Sequence, residues 1–187
     1  LLLRVEDSAD RRTIRLRLTE SALPIAREGQ EAASLLRQML TAGFPADHAL
    51  GSINSLCCLR GRAGAVTIDL AEIHLDSGKA AVYKWGAAPS WLLGRSGAEK
   101  IGTATPPPGL SVTDGRETVE RLSLRRGELL VLQSDGAGGE DALRAALDEP
   151  DLPPGELAAR IMECSRGDET DDATVAVGRL NTLAAST

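Results

Sequence analysis

The chain has 187 residues, 42% of them hydrophobic, which suits one domain with a single core and stands well above the level at which disorder becomes the default. A net charge of -6 and only 2% aromatic residues (Phe44, Tyr83, Trp85 and Trp91) argue against a nucleic-acid partner, since the sign is wrong for a phosphate backbone and few rings can stack on bases. Cys57, Cys58 and Cys164 lack metal-knuckle spacing and read as small buried hydrophobes of a reducing cytosol, and no apolar run approaches the roughly 20 residues of a membrane span.

The chain opens on Leu1-Leu2-Leu3 with no initiator Met, so a fragment of a longer protein is expected, with any anchor or sensor outside it. Polar and apolar residues alternate from Arg12 to Leu18, which predicts a half-buried strand. Leu1 to Val5 is its expected hairpin partner, turning at Ser8-Ala9-Asp10. Ala26 to Leu40 carries Ala32, Leu35, Leu36, Met39 and Leu40 on one helical face, and Gly43 stops it. Pro45 then starts a second helix, Ala46 to Leu59.

The middle of the chain reads as strands: Ala65 to Leu75, a turn at Asp76-Ser77-Gly78, and Lys79 to Trp85. Trp91 to Leu93 and Glu99 to Ile101 form a shorter pair, followed by Pro106-Pro107-Pro108-Gly109, which cannot be a central strand and is expected as a surface loop. Glu117 to Leu124 and Glu128 to Gln133 are two further strands. Helices at Asp141 to Leu147 and Pro154 to Cys164 and a strand at Ala173 to Leu180 complete the chain. Strands and helices come in blocks rather than alternating, which argues against a doubly wound sheet and for two sheets with a helix pair on each outer face.

Two acidic clusters sit where a strand meets a turn. Gln133-Ser134-Asp135-Gly136 follows the apolar run Leu129 to Leu132, so a carboxylate emerges at the end of a sheet beside a glycine that permits close backbone approach. Asp168-Glu169-Thr170-Asp171-Asp172-Ala173-Thr174 precedes the last strand. Crowded carboxylates at strand ends suit a hard divalent cation such as Mg²⁺ or Mn²⁺; Asp-Gly is equally a common turn, and acidic loops are commonly just solvated. Asp69 reads as an ordinary strand residue, His48 and His74 as structural or solvated, and Arg60-Gly61-Arg62 as a helix C-terminal cap.

Six segments, in order, resemble those of stage II sporulation protein E (SpoIIE) type phosphatases. They are Asn54-Ser55-Leu56, Thr67-Ile68-Asp69-Leu70-Ala71-Glu72-Ile73, Lys84-Trp85-Gly86-Ala87-Ala88-Pro89-Ser90, Arg126-Gly127-Glu128-Leu129-Leu130-Val131-Leu132, Ser134-Asp135-Gly136 and Asp171-Asp172-Ala173-Thr174. No single segment is specific; the ordered set is. The resemblance implies an α+β fold, a four-layer αββα sandwich of two antiparallel sheets flanked by helix pairs, in one domain over residues 1–187. It implies a cytoplasmic, metal-dependent protein serine/threonine phosphatase with two Mn²⁺ or Mg²⁺ ions and a phosphorylated protein partner, of anti-anti-sigma type in the family. Asp135 and Asp171 become the catalytic carboxylates and metal ligands, joined by Gly136, with Asp172 behind them.

One place departs from the family pattern. Where an Asp-Gly and a Gly-rich stretch should bridge the two metals, the chain reads Thr19-Glu20-Ser21-Ala22-Leu23-Pro24-Ile25. Glu20 is the expected replacement ligand, its longer arm reaching one ion, and a weakened second metal follows. A further acidic ligand is expected on the preceding strand, where Glu6 and Asp7 are the candidates, or else upstream of Leu1. The alternative reading is a degenerate pseudophosphatase kept as a protein-binding or regulatory module, favoured by Glu20-Ser21 and opposed by the two retained acidic clusters.

Overall fold

The alternating segments pair into antiparallel sheets, and the helical faces close over them. The computed structural model describes residues 2–6, 13–19, 26–61, 66–94, 97–102, 104–110, 119–147, 152–165 and 173–181. In chain order these are β1 (Leu2–Glu6), β2 (Thr13–Thr19), α1 (Ala26–Thr41), α2 (Ala46–Leu59), β3 (Ile68–His74), β4 (Lys79–Trp85), β5 (Ser90–Gly94) and β6 (Gly97–Ile101). Then follow β7 (Val119–Ser123), β8 (Leu129–Gln133), α3 (Gly139–Ala146), α4 (Pro154–Cys164) and β9 (Val175–Arg179).

One sheet has the order β1-β2-β3-β4-β7 and the other β6-β5-β8-β9, with antiparallel pairing at every ladder. Three apolar layers hold them. Leu36 and Leu40 of α1 and Leu50 and Ile53 of α2 pack on Ile68, Leu70, Tyr83 and Trp85 of the first sheet. Between the sheets lie Ala71, Ile73, Ala80 and Val82 from one side and Leu130, Leu132 and Ala176 from the other. Ala142 and Leu143 of α3 and Leu157 and Ile161 of α4 cover Trp91, Leu93, Leu129 and Val131. The αββα sandwich expected from the element order is therefore the observed one.

The turn chemistry agrees with the sequence. Gly78, at φ 68, accepts the positive φ that closes the β3–β4 hairpin, and its N–H donates to the His74 carbonyl at 2.8 Å. A side chain there would collide with the Leu124 carbonyl oxygen, so Gly is required twice over. The expected turn at Ser8-Ala9-Asp10 lies outside the described residues. Of the cysteines, Cys57 is buried as expected, whereas Cys58 and Cys164 are exposed, because neighbours on a helix face different directions. His48 and His74 are exposed. No described helix is long and apolar enough to cross a membrane.

Candidate functional site

Register decides which residues share an end of the sandwich. Thr19, the last residue of β2, pairs with Ile68, the first of β3, and Leu18 pairs with Asp69. Asp69 in turn pairs with Lys84, next to the end of β4. In the second sheet, β8 ends at Gln133 opposite Val175, where β9 begins. Ser90, the first residue of β5, joins the two sheets here: its hydroxyl donates to Asp69 Oδ2 at 3.2 Å and accepts from Lys84 Nζ at 3.0 Å. The chain leaving β2 towards Glu20, the turn after β8 and the segment entering β9 thus belong to one end of the fold.

The turn after β8 is a single 3-10 turn, Asp135–Ala137, with Gly138 at φ 70 leading into α3. Ser134, buried beneath it, is bound twice to the strand that follows the second acidic cluster. Its N–H donates to the Thr174 carbonyl at 2.9 Å, and its hydroxyl accepts the Thr174 N–H at 2.8 Å. Asp135 is exposed, and its Oδ1 accepts the Gly136 N–H at 3.1 Å. A carboxylate and a glycine carbonyl at a solvent-facing turn are hard oxygen donors that fit Mg²⁺ or Mn²⁺. Among the described residues no three His, Cys, Asp or Glu side chains gather to hold an ion. Glu20, Asp171 and Asp172, the other expected members of the site, lie outside the described residues, as does Asp7.

Glu6 is a correction. It pairs with Ile14, at the other end of β2 from Thr19, so about 17 Å of strand separates it from the Glu20 end at ~3.3 Å per residue. The antiparallel hairpin carries β1 away from that end as it runs forward, which sets Glu6 apart from the other expected ligands.

Asp69 is the second correction. It is not an ordinary strand residue: it is 1% exposed and accepts from Lys84 Nζ at 2.6 Å, while Lys84 is itself 1% exposed. Burial pushes the Asp69 carboxyl above its usual range, although the Lys84 ammonium and the hydrogen bonds from Lys84 and Ser90 pull it back down. Its second oxygen, Oδ1, has no hydrogen-bond partner among the described residues. The signal was present in the sequence: counting outward from the Asp76-Ser77-Gly78 turn puts Asp69 and Lys84 directly opposite each other, in phase with Ala71, Ile73, Ala80 and Val82.

The proline segment is a loop with Pro106 at the surface, as expected, and its contacts hold it in place. Pro108 is buried, Gly109 N–H donates to Asn54 Oδ1 of α2 at 2.7 Å, and Pro107 packs on Gly86. Thr105 ties the same loop to β4, donating to the Lys84 carbonyl at 2.8 Å. The loop is thus a surface loop pinned to the end of the fold that carries Ser90. Arg60 occupies the C-cap of α2 as expected, and its guanidinium bonds Glu31 of α1 at 2.9 Å.

Comparison with known proteins agrees with this fold. Residues 26–181 match the family model "Stage II sporulation protein E (SpoIIE)". The chain is 29% identical, over 167 residues, to a stage II sporulation protein E of Priestia megaterium, covering 82% of this chain and 28% of that protein. It superposes on the PP2C phosphatase domain and regulatory fragment of the Bacillus subtilis cell fate determinant SpoIIE with a TM-score of 0.79 and 26% identity, covering 97% of this chain and 58% of that one. A manganese-presoaked form of the Bacillus subtilis phosphatase domain matches at 28% identity and a TM-score of 0.52, over 81% of this chain and 72% of that one. The chain therefore spans under a third of the length of the curated relative it matches.

Proposed function

The chain belongs to the stage II sporulation protein E family, and from that premise we propose that it is a metal-dependent phosphatase domain acting on phosphoserine or phosphothreonine of a protein partner. The observation that carries this reading is the turn Ser134-Asp135-Gly136, which presents a carboxylate at the end of β8 while Ser134 is tied to Thr174, directly after Asp171-Asp172-Ala173. That tie supports a reading in which two acidic segments far apart in sequence serve one end of the sandwich.

In this reading Asp135, with the Gly136 carbonyl, Asp171 and Glu20, would hold Mn²⁺ or Mg²⁺. When bound, the ions supply positive charge to the phosphoryl oxygens and activate water for in-line attack. In this reading the chain's own residues would contribute anionic oxygen donors next to the ends of two sheets, an arrangement that would set their spacing before substrate arrives. The reaction consumes water and releases the serine or threonine hydroxyl and inorganic phosphate. The partner we favour is a phosphorylated regulatory protein of anti-anti-sigma type, and the net charge of -6 goes against a nucleic-acid substrate.

A second reading, a pseudophosphatase retained as a binding module, is favoured by Glu20-Ser21 in place of Asp-Gly. Calorimetry with Mn²⁺ separates the two. The phosphatase reading expects heat of binding that Asp135→Asn abolishes at unchanged circular dichroism, because the substitution removes charge as well as an oxygen donor. No Mn²⁺ binding by the unaltered chain, with the fold intact, would leave the binding-module reading standing.

A further inference from the structure

Among the described residues, the apolar cluster between the sheets is built from aliphatic side chains. Ala71, Ile73, Val82, Leu130 and Leu132 meet there without directional contacts. A polar cluster stands at the end that carries Asp135, where Asp69, Lys84 and Ser90 are buried together at 1%, 1% and 0% exposure. Asp69 and Lys84 belong to the first sheet and Ser90 to the second, and the hydroxyl of Ser90 bonds to both at 3.2 and 3.0 Å. Apolar contacts tolerate small slides, whereas charge-assisted hydrogen bonds fix heavy atoms to within tenths of an ångström. A buried ion pair is weak evidence for stability, since its desolvation offsets most of its attraction, so position is the better account of it.

The backbone on either side of the cluster leads to the expected ligands. Asp69 pairs with Leu18, next to Thr19 and the chain that continues to Glu20. Ser90 precedes Trp91, which pairs with Val131 on the strand that runs into Ser134-Asp135. We propose that Asp69, Lys84 and Ser90 form a clamp that sets the gap between the two sheets at this end, which makes them positioning residues for the carboxylates that the sheets carry. The part of the inference that concerns carboxylates rests on the metal-dependent reading above; the clamp itself does not.

Ser90→Ala removes both sheet-spanning hydrogen bonds and keeps the Asp69–Lys84 pair within the first sheet. Ile73→Val, in the same layer but towards the opposite end, is the comparison for general loosening. In hydrogen exchange, Ser90→Ala is expected to lower protection at the amides of residues 68–70 and 90–92, leaving those near Ile73 as they were. Its Mn²⁺ affinity by calorimetry is expected to fall at least ~10-fold, the usual scale for groups that orient a ligand, while Ile73→Val leaves that affinity unchanged. Protection that stays the same, or falls evenly through both sheets, overturns the clamp. Local loss of protection with unchanged Mn²⁺ affinity overturns the positioning role. If the unaltered chain binds no Mn²⁺, the metal-dependent reading fails, and the exchange pattern still decides the clamp.

Discussion

Tyr83 is the only tyrosine in the chain, which makes its environment directly measurable. Its hydroxyl donates to Glu72 Oε2 at 3.0 Å across the β3–β4 hairpin, on the face that receives the helices. Burial first, and then the negative charge of Glu72, push the phenol well above its ordinary value of 10.0. The native state therefore holds this proton more tightly than the unfolded chain. The stability that follows is fully present below the unfolded value and is lost as pH rises through the raised native one. Phenolate absorbance should appear only at pH values above those of free tyrosine, and Glu72→Gln should bring the transition down. An unshifted transition in the folded protein would contradict the hydrogen bond. The Asp69–Lys84 pair obeys a related logic with larger stakes. Lys84→Met leaves a carboxylate buried without its cation and should cost about 3–5 kcal/mol, read as a lower urea midpoint at constant slope. Asp69→Leu combined with Lys84→Met removes both charges and should recover most of that loss. A Lys84→Met variant as stable as the parent would mean that water reaches Asp69.

At the scale of elements, the segment Lys84 to Ser90 shows how a motif divides its labour. Lys84 and Ser90 supply the buried contacts, and Gly86, at φ 69, turns the chain between β4 and β5. A Cβ on Gly86 would stand 2.6 Å from the Pro107 Cβ, so Gly86→Ala meets both backbone strain and the pinned proline loop. A loss of about 2–4 kcal/mol is expected from strain and overpacking together, measured by thermal or urea unfolding. Full stability in Gly86→Ala would show that the loop moves aside easily. Most elements were legible from pattern alone: Ala46–Leu59, Lys79–Trp85 and Pro154–Cys164 fall where periodicity, proline starts and the hairpin turn put them. What pattern could not supply was environment. Asp69 looks like any polar residue in an alternating strand until the hairpin register is counted and the opposite sheet is added. For Pro106 to Gly109 the sequence shows the loop and not its anchor, because the acceptor for Gly109, Asn54, lies far away in sequence. Glu6 fails as a ligand for a reason of direction, since β1 ends where β2 begins.

At the scale of the whole molecule, the proposed chemistry depends on two sheets meeting at one end. In that proposal the second sheet contributes Asp135, in a Ser-Asp-Gly setting; the first leads from Thr19 into Glu20-Ser21, where the proposal expects Asp-Gly in an intact member. A longer side chain in place of Asp displaces its carboxylate by about one methylene, and Ser21 lacks the freedom of a glycine backbone to approach an ion. One ion is then expected to bind acceptably and a second weakly, giving a low rate on p-nitrophenyl phosphate that rises with Mn²⁺ concentration. Each ~1.4 kcal/mol of transition-state stabilisation is about tenfold in rate, so a weakened second ion can account for a large deficit. Glu20→Asp with Ser21→Gly should raise the rate if those two side chains are its cause. The singles should each give less than the double, because the carboxylate and the backbone would act on the same ion. A double variant that folds, binds Mn²⁺ and gains nothing would put the defect elsewhere, in another ligand of the first sheet. A parent already as fast as an intact member of the family would refute the impairment itself.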